Sequence, residues 1–177
     1  MGLFTQVSAP FLEASPKAAV MRIGVGYDLH RLVSGRPLML GGVKVPHDKG
    51  LLGHSDADVL IHAACDALLG AAGMGDIGRR FPDSDPAYKD IAGPKLLSQT
   101  VTMIKSKCFG VGNLDATIVA QEPKLAPYIP QMETVIAETI AIPVACINIK
   151  ATTTEKIGVI GKGEAMAALC VALIQPT

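Results

Sequence analysis

Apolar and polar side chains alternate through Arg22-Ile23-Gly24-Val25-Gly26-Tyr27-Asp28-Leu29-His30, a period of two that predicts a strand with Asp28 and His30 on one face. Pro37-Leu38-Met39-Leu40 and Val43-Lys44-Val45 then flank Gly41-Gly42, which predicts a hairpin closed by a glycine turn. Beyond the loop Gly50 to Ser55, Ala, Leu and Val carry a helix to about Gly70, and Ser55 with Asp58 approximates a capping box at its start. Asp58, His62 and Asp66 recur at every fourth position, so they form one polar stripe on an otherwise apolar helix. Residues 73–86 are too rich in Gly, Pro and Asp for regular structure and read as a mobile lid or specificity loop around Phe81. Lys95 to Lys107 is amphipathic, with Leu96, Leu97, Val101 and Ile104 on one side. Leu114 to Ala120 and Ile147 to Ala151 read as strands, Met132 to Ile140 as a helix, and the run from about Glu164 to Ile174 as a closing helix.

Strands interleaved with helices, some joined by a tight hairpin, predict an α+β domain: a ferredoxin-like sheet with helices packed on one face. The sheet's other face needs a cover, and a chain this apolar supplies it with copies of itself, as a closed homo-oligomer. The 177 residues fit one domain. Residues 1–20, with Pro10, Pro16 and no clear period, read as an extension outside a domain spanning 21–177, without the marks of a signal or transit segment.

Sixteen residues of each charge sign, never in a like-charged block, argue against a nucleic-acid surface, so any bound phosphate must be held by metals and backbone. No apolar run reaches the roughly 18 residues that span a bilayer, so no membrane role is expected. Cys65, Cys108, Cys146 and Cys170 are scattered without close-pair spacing, which points to a reducing, cytoplasmic setting.

The candidate chemistry starts from Asp28, His30 and His62. One carboxylate and two imidazoles from separate segments give three ligands for a zinc-type ion and leave a fourth position open for water or substrate. A histidine more often serves as a hydrogen-bonded structural residue, but Asp-x-His on a strand plus a helical His favours metal. Asp58 and Asp66, one turn either side of His62, either orient its ring or solvate the helix face. His54-Ser55 offers a helix start to a phosphate, although for Ser55 alone a plain cap is the better reading. His47 has no partner spacing and reads as a surface residue. Ala151-Thr152-Thr153-Thr154-Glu155-Lys156, directly after a strand, suits phosphate oxygens and a hard ion such as Mg²⁺. Ala120-Gln121-Glu122-Pro123-Lys124-Leu125 offers backbone groups for a base edge and Lys124 for phosphate. Gly24-x-Gly26 lacks the third glycine and helix of a dinucleotide fingerprint.

Gly26-Tyr27-Asp28-Leu29-His30, Leu52-Gly53-His54-Ser55-Asp56-Ala57-Asp58, Gly75-Asp76-Ile77-Gly78, Phe81-Pro82-Asp83-Ser84-Asp85-Pro86 and Lys150 to Lys156 together resemble the 2-C-methyl-D-erythritol 2,4-cyclodiphosphate synthases, over essentially Met21 to Thr177. The resemblance implies cyclisation of 4-diphosphocytidyl-2-C-methyl-D-erythritol 2-phosphate with release of CMP, in the non-mevalonate isoprenoid pathway. It also implies a homotrimer with active sites between subunits. Residues matching Asp28, His30 and His62 hold the zinc-type ion, and the one matching Glu155 holds Mg²⁺ or Mn²⁺. Those matching His54, Ser55, Asp76, Ile77, Gly78, Phe81, Asp83 and Asp85 face the methylerythritol portion. Those matching Ala120, Pro123, Lys124, Leu125, Ala151, Thr152 and Thr153 enclose the cytidine and its phosphates, with catalytic roles implied at His54, Thr153 and Glu155. Lys162 stands where better-known members often have arginine; it meets phosphate as a point charge rather than a planar fork, so a second anion or prenyl-diphosphate site on the trimer axis stays open here.

A metal-dependent phosphohydrolase would keep the trio but release inorganic phosphate through a metal-bound water. A non-catalytic trimeric nucleotide-binding protein would keep the cytidine contacts and dispense with metal.

Overall fold

A computed structural model describes residues 20–177, so the expected extension over residues 1–20 lies outside the described residues but for Val20. The elements run β1 (Arg22–Ser34), β2 (Leu38–Leu40), β3 (Val43–Val45), β4 (Lys49–Leu51), α1 (Val59–Ala71), α2 (Ile77–Arg80), α3 (Gly93–Lys105), β5 (Phe109–Val119), α4 (Ile129–Ile140), β6 (Ile147–Thr152), α5 (Gly158–Gly161) and β7 (Ala165–Pro176). Five strands form one sheet in the order β4-β1-β7-β5-β6, and β2 and β3 form the expected hairpin around Gly41 and Gly42, both at positive φ. Among the described residues no helix is long and apolar enough to cross a membrane.

The α+β class with helices on one face stands, and two details of the expectation need correction. The run from Ala165 to Pro176 is the central strand β7, antiparallel to both β1 and β5, and not a closing helix. Ala, Met and Leu favour helix locally, and an apolar run without alternation carries no strand signal. The alternation is missing because both faces of β7 are apolar. Ala168, Cys170, Ala172 and Ile174 are buried under the helices, while Leu169 and Val171 share the opposite, exposed face. The ferredoxin-like expectation holds for β1, β5 and β7, where β7 lies antiparallel between two parallel strands, but it fails at the edge. The crossover through α4 places β6 parallel beside β5, instead of returning a last strand to the far side of β1.

Helix α1 lies directly on β1, and glycines set how closely. A Cβ built on Gly26 would stand 1.9 Å from the Ala63 carbonyl oxygen, and one on Gly24 would stand 1.9 Å from that of Ala67. The helix carries buried Leu60, Ile61 and Leu68 into the core formed with α3 and the sheet.

The cap of α1 is Asp58 itself, which corrects the Ser55 capping box. Asp58 Oδ1 accepts from the amides of Ile61 (3.1 Å) and Gly41 (2.9 Å), and Oδ2 accepts from Gly42 (2.7 Å), so one buried carboxylate ties the helix start to the β2–β3 turn. Burial pushes this carboxyl up, and the three amide donors oppose that rise. Asp58→Ala strands three donors and is expected to cost about 3 kcal/mol or more in denaturant unfolding. Asp58→Asn, which keeps one acceptor oxygen, is expected to lose clearly less. Equal losses would show that the shared acceptor is not the source of the stability.

Residues 73–86 hold more regular structure than their composition predicts. Asp76 caps α2, accepting from Arg79 N at 2.8 Å, and Asp85 caps a 3₁₀ turn over Pro86–Tyr88, accepting from Ala87 N at 2.9 Å. Phe81 is buried and meets Tyr88 edge-on, with ring centroids 5.2 Å apart. Each aspartate serves a local amide, which is why a stretch with so little apolar periodicity still forms helical turns.

Candidate active site

The alternation of β1 aims Asp28 and His30 to the helix-covered face, and α1 lowers His62 onto them. Asp28 Oδ2 lies 3.0 Å from His30 Nε2 and 2.9 Å from His62 Nδ1, and the two ring nitrogens are 3.3 Å apart. Ligands at the zinc–nitrogen distance of about 2.0–2.1 Å in a tetrahedron sit about 3.3 Å from one another. The three separations fit that frame, and the three residues form a group able to hold a metal ion. The other carboxylate oxygen, Oδ1, accepts from Leu29 N at 2.9 Å, while Oδ2 is turned to the two imidazoles.

Both rings have their outer nitrogens engaged. The Leu52 carbonyl can only accept, so His30 Nδ1 donates to it at 2.8 Å, and Nε2 is turned inward to face Asp28 Oδ2. His62 Nε2 meets Ser55 Oγ at 3.0 Å, and that same oxygen accepts from Ala57 N. Neither Asp58 nor Asp66 orients His62, and neither solvates an exposed face. Asp58 is the buried cap, and Asp66 accepts from Ile77 N at 2.7 Å at the start of α2. Burial pushes the Asp28 carboxyl up, but hydrogen bonds and charge from His30 and His62 outweigh it and hold Asp28 well below the usual carboxylate range. Burial pulls His30 down, yet the Asp28 hydrogen bond and charge leave it raised. Ser55→Ala removes the partner of His62 and is expected to weaken Zn²⁺ binding by about 10- to 100-fold, read by chelator competition. An unchanged affinity would mean that packing alone orients the ring.

A cavity of about 250 Å³ opens beside the trio, lined by His30, Gly53, His54, Ser55, His62, Ile77, Gly78, Phe81, Asp83, Tyr88, Ile91 and Leu96. His54 Nε2 is buried without a hydrogen-bond partner among the described residues. Asp76 and Asp85 do not line this cavity; their carboxylates cap the turns around it. A second cavity of about 300 Å³ is lined by Ala120, Gln121, Pro123, Lys124, Leu125, Ala126, Ala151, Thr152 and Thr153. Glu155 is exposed just beyond it at φ +52°, its Oε1 accepting from Thr153 Oγ1 at 2.7 Å, and Lys162 is exposed at the end of α5. Both cavities open at one end of the sheet, since Leu29 and Val119 both pair with Ala167 of β7, yet they share no lining residue. Tyr88, Ile91 and Leu96 escaped sequence reasoning. Their only mark was apolarity near the Asp-rich loop, which reads equally as core.

Fold and site together define an α+β protein in which three residues able to hold a metal ion stand beside an open cavity. A profile of the YgbB family matches residues 21–175. The 2-C-methyl-D-erythritol 2,4-cyclodiphosphate synthase of Desulfatibacillum aliphaticivorans is 59% identical over 155 residues, 88% of this chain and 100% of its own. That of Syntrophobacter fumaroxidans is 57% identical, over 88% of this chain and 98% of its own. Among solved structures, bifunctional IspDF from Campylobacter jejuni superposes with a TM-score of 0.87 at 41% identity, covering 90% of this chain and 43% of that one. IspF from Plasmodium falciparum, in a complex with CDP, gives 0.79 at 32% identity over 91% of this chain and 99% of its own. The chain belongs to the YgbB family, whose relatives here are 2-C-methyl-D-erythritol 2,4-cyclodiphosphate synthases.

Proposed function

We propose that this chain, as a single catalytic domain over residues 21–177, is a metal-dependent phosphorus–oxygen lyase. It converts 4-diphosphocytidyl-2-C-methyl-D-erythritol 2-phosphate to the 2,4-cyclodiphosphate and CMP, in the non-mevalonate isoprenoid pathway and in the cytoplasm. The observation that carries the reading is the set of three inward-facing donors of Asp28, His30 and His62, spaced for one cation beside a cavity. Relatives at 57–59% identity all bear the synthase name, which favours it over the phosphohydrolase and the non-catalytic binding protein.

An oxygen of the 2-phosphate attacks the β-phosphorus, a new P–O bond closes the ring, and the bond from the β-phosphorus to the bridging oxygen breaks, so that oxygen leaves with CMP. No protein nucleophile is needed, and the work of the site is to hold two anions in line. A Zn²⁺-type ion at Asp28, His30 and His62 and a Mg²⁺ or Mn²⁺ at Glu155 would supply polarisation of phosphoryl oxygens and neutralise charge. His54 and Ser55, with Ile77, Gly78, Phe81 and Asp83, enclose the methylerythritol phosphate and keep water off it, and Asp76 and Asp85 hold the turns of that wall. The buried His54 Nε2 is left to hydrogen-bond a substrate oxygen. Ala120, Pro123, Lys124, Leu125, Ala151 and Thr152 receive the cytidine, consistent with the CDP carried by the Plasmodium falciparum relative. The Thr153 hydroxyl and Lys162 ammonium face its phosphates.

The two cavities share no lining residue, and the sheet face bearing Ile23, Val25, Tyr27, Leu29, Leu169 and Val171 is exposed. A homotrimer that buries this face and sets the metal cavity of one subunit against the cytidine cavity of the next accounts for both. Sedimentation at working concentration is expected to give a three-chain species, and monomers alone would sink the assembly. Purified protein given the cytidine substrate should release CMP and the cyclic diphosphate; inorganic phosphate as the product would overturn the lyase reading. A strong chelator should abolish that release while leaving most far-ultraviolet dichroism, because an open three-ligand site supplies little of the folding energy of a core this size.

A further inference from the structure

Arg36 lies in the turn between β1 and β2, outside both cavities, yet its guanidinium reaches the segment that serves both metal-site histidines. Nη1 donates to the Gly53 carbonyl at 3.2 Å and Nη2 donates to the Ser55 carbonyl at 2.8 Å, so the two bonds bracket His54. That short segment does three things at once. Leu52 fixes the His30 ring through its carbonyl, Ser55 meets the His62 ring through its hydroxyl, and His54 brings a buried, unpartnered Nε2 to the cavity. Gly53 is packed hard against the same centre: a Cβ there would stand 3.0 Å from His30 Cε1 and 2.9 Å from the Ala57 Cβ. Arg36 is itself held, because Gly50 presses on its backbone so closely that a Cβ would fall 2.5 Å from the Arg36 carbonyl oxygen and 2.2 Å from that of Pro37.

We infer that Arg36 is a positioning residue for the metal centre, pinning the 52–55 segment so that His30, His62 and His54 keep their aim. The inference rests on the metal-site reading above. Only a planar fork spans two carbonyls that are two residues apart on a bent chain; an ammonium on a flexible stem satisfies one at a time. Besides the two histidine rings, the other bonds to the segment come from backbone, such as Leu52 N to the Arg31 carbonyl of β1 at 2.9 Å and Asp90 N to the His54 carbonyl at 2.9 Å. None of these reaches the Gly53 or Ser55 carbonyl, which among the described residues are met by the guanidinium. The effect of Arg36 therefore passes through Leu52, Gly53 and Ser55, without contact with substrate or ion.

The test compares Arg36→Met and Arg36→Lys with wild type by three readouts: Zn²⁺ affinity of the substrate-free protein by chelator competition, the melting temperature, and kcat against KM at saturating metal. Arg36→Met should weaken Zn²⁺ binding about tenfold, the low end of what the loss of an outer partner costs a metal site. It should lower kcat more than it raises KM, and Arg36→Lys should recover part of both. Zn²⁺ affinity and kcat within twofold of wild type in Arg36→Met, whatever its melting temperature, would overturn the role, as would a Lys variant no better than Met. If wild type binds Zn²⁺ but releases no CMP, the lyase reading fails and the affinity arm still decides Arg36. If wild type binds no divalent ion, both fall together.

Discussion

Alanine in place of Asp28 or His62 is expected to lower CMP release by about three orders of magnitude or more, the equivalent of the several kcal/mol of charge stabilisation that a bound cation supplies to a phosphoryl group. Each variant removes one of three donors that lie 2.9–3.3 Å from one another, leaving too few to hold an ion against water. The folded state should persist. Asp28 is partly exposed at the sheet end, and His62 keeps company with buried Ile61 and Ala63, whose packing on the sheet does not depend on the ring. The measurement is bound Zn²⁺ per chain together with turnover. Wild-type turnover in either variant, or full Zn²⁺ occupancy, would remove the metal centre from the mechanism.

Gly26→Ala, like Gly24→Ala, should be among the most damaging single methyl additions to the described residues. The added carbon would lie 1.9 Å from the Ala63 carbonyl oxygen and 2.7 Å from Ala67 N, both backbone atoms of α1 with nowhere to yield. The helix must lift off β1, at a cost of about 3 kcal/mol or more from overpacking. Because His62 rides on that helix, a displacement near 1 Å is also expected to cost roughly a hundredfold in activity in whatever fraction remains folded. Gly70, on the same helix, supplies the control: a Cβ there meets nothing within 4 Å, so Gly70→Ala should be neutral or stabilise by up to ~1 kcal/mol. Chemical denaturation of the two variants distinguishes close approach from a general intolerance of the region. Equal effects would discredit the contact.

These two outcomes also mark where sequence reasoning reached and where it stopped. The period of two in β1 placed Asp28 and His30 on one face, and the helical run placed His62, because side-chain direction along a single element follows from backbone geometry alone. The same logic found the Gly41-Gly42 hairpin, α3, α4 and β6 to within a few residues, and β5 without its first stretch, Phe109 to Asn113. It failed at β7, where Ala and Leu favour helix and both faces are apolar, and it misjudged Asp58, whose three amide partners come from two elements far apart in sequence. Arg36 carried no signal at all. A lone arginine in a turn reads as surface until the 53–55 segment folds back over it.

The order of the amino acids thus determined most of the local elements, the faces that carry Asp28, His30 and His62, and the family, since each depends on residues near in sequence or on motifs that stand in the chain as written. Packing alone decided that β7 runs through the centre of the sheet, that Gly24 and Gly26 admit a helix at backbone contact, and that one buried carboxylate joins a hairpin to a helix. Those features arise from atoms brought together across tens of residues, and no local preference, however strong, encodes the approach of one backbone to another.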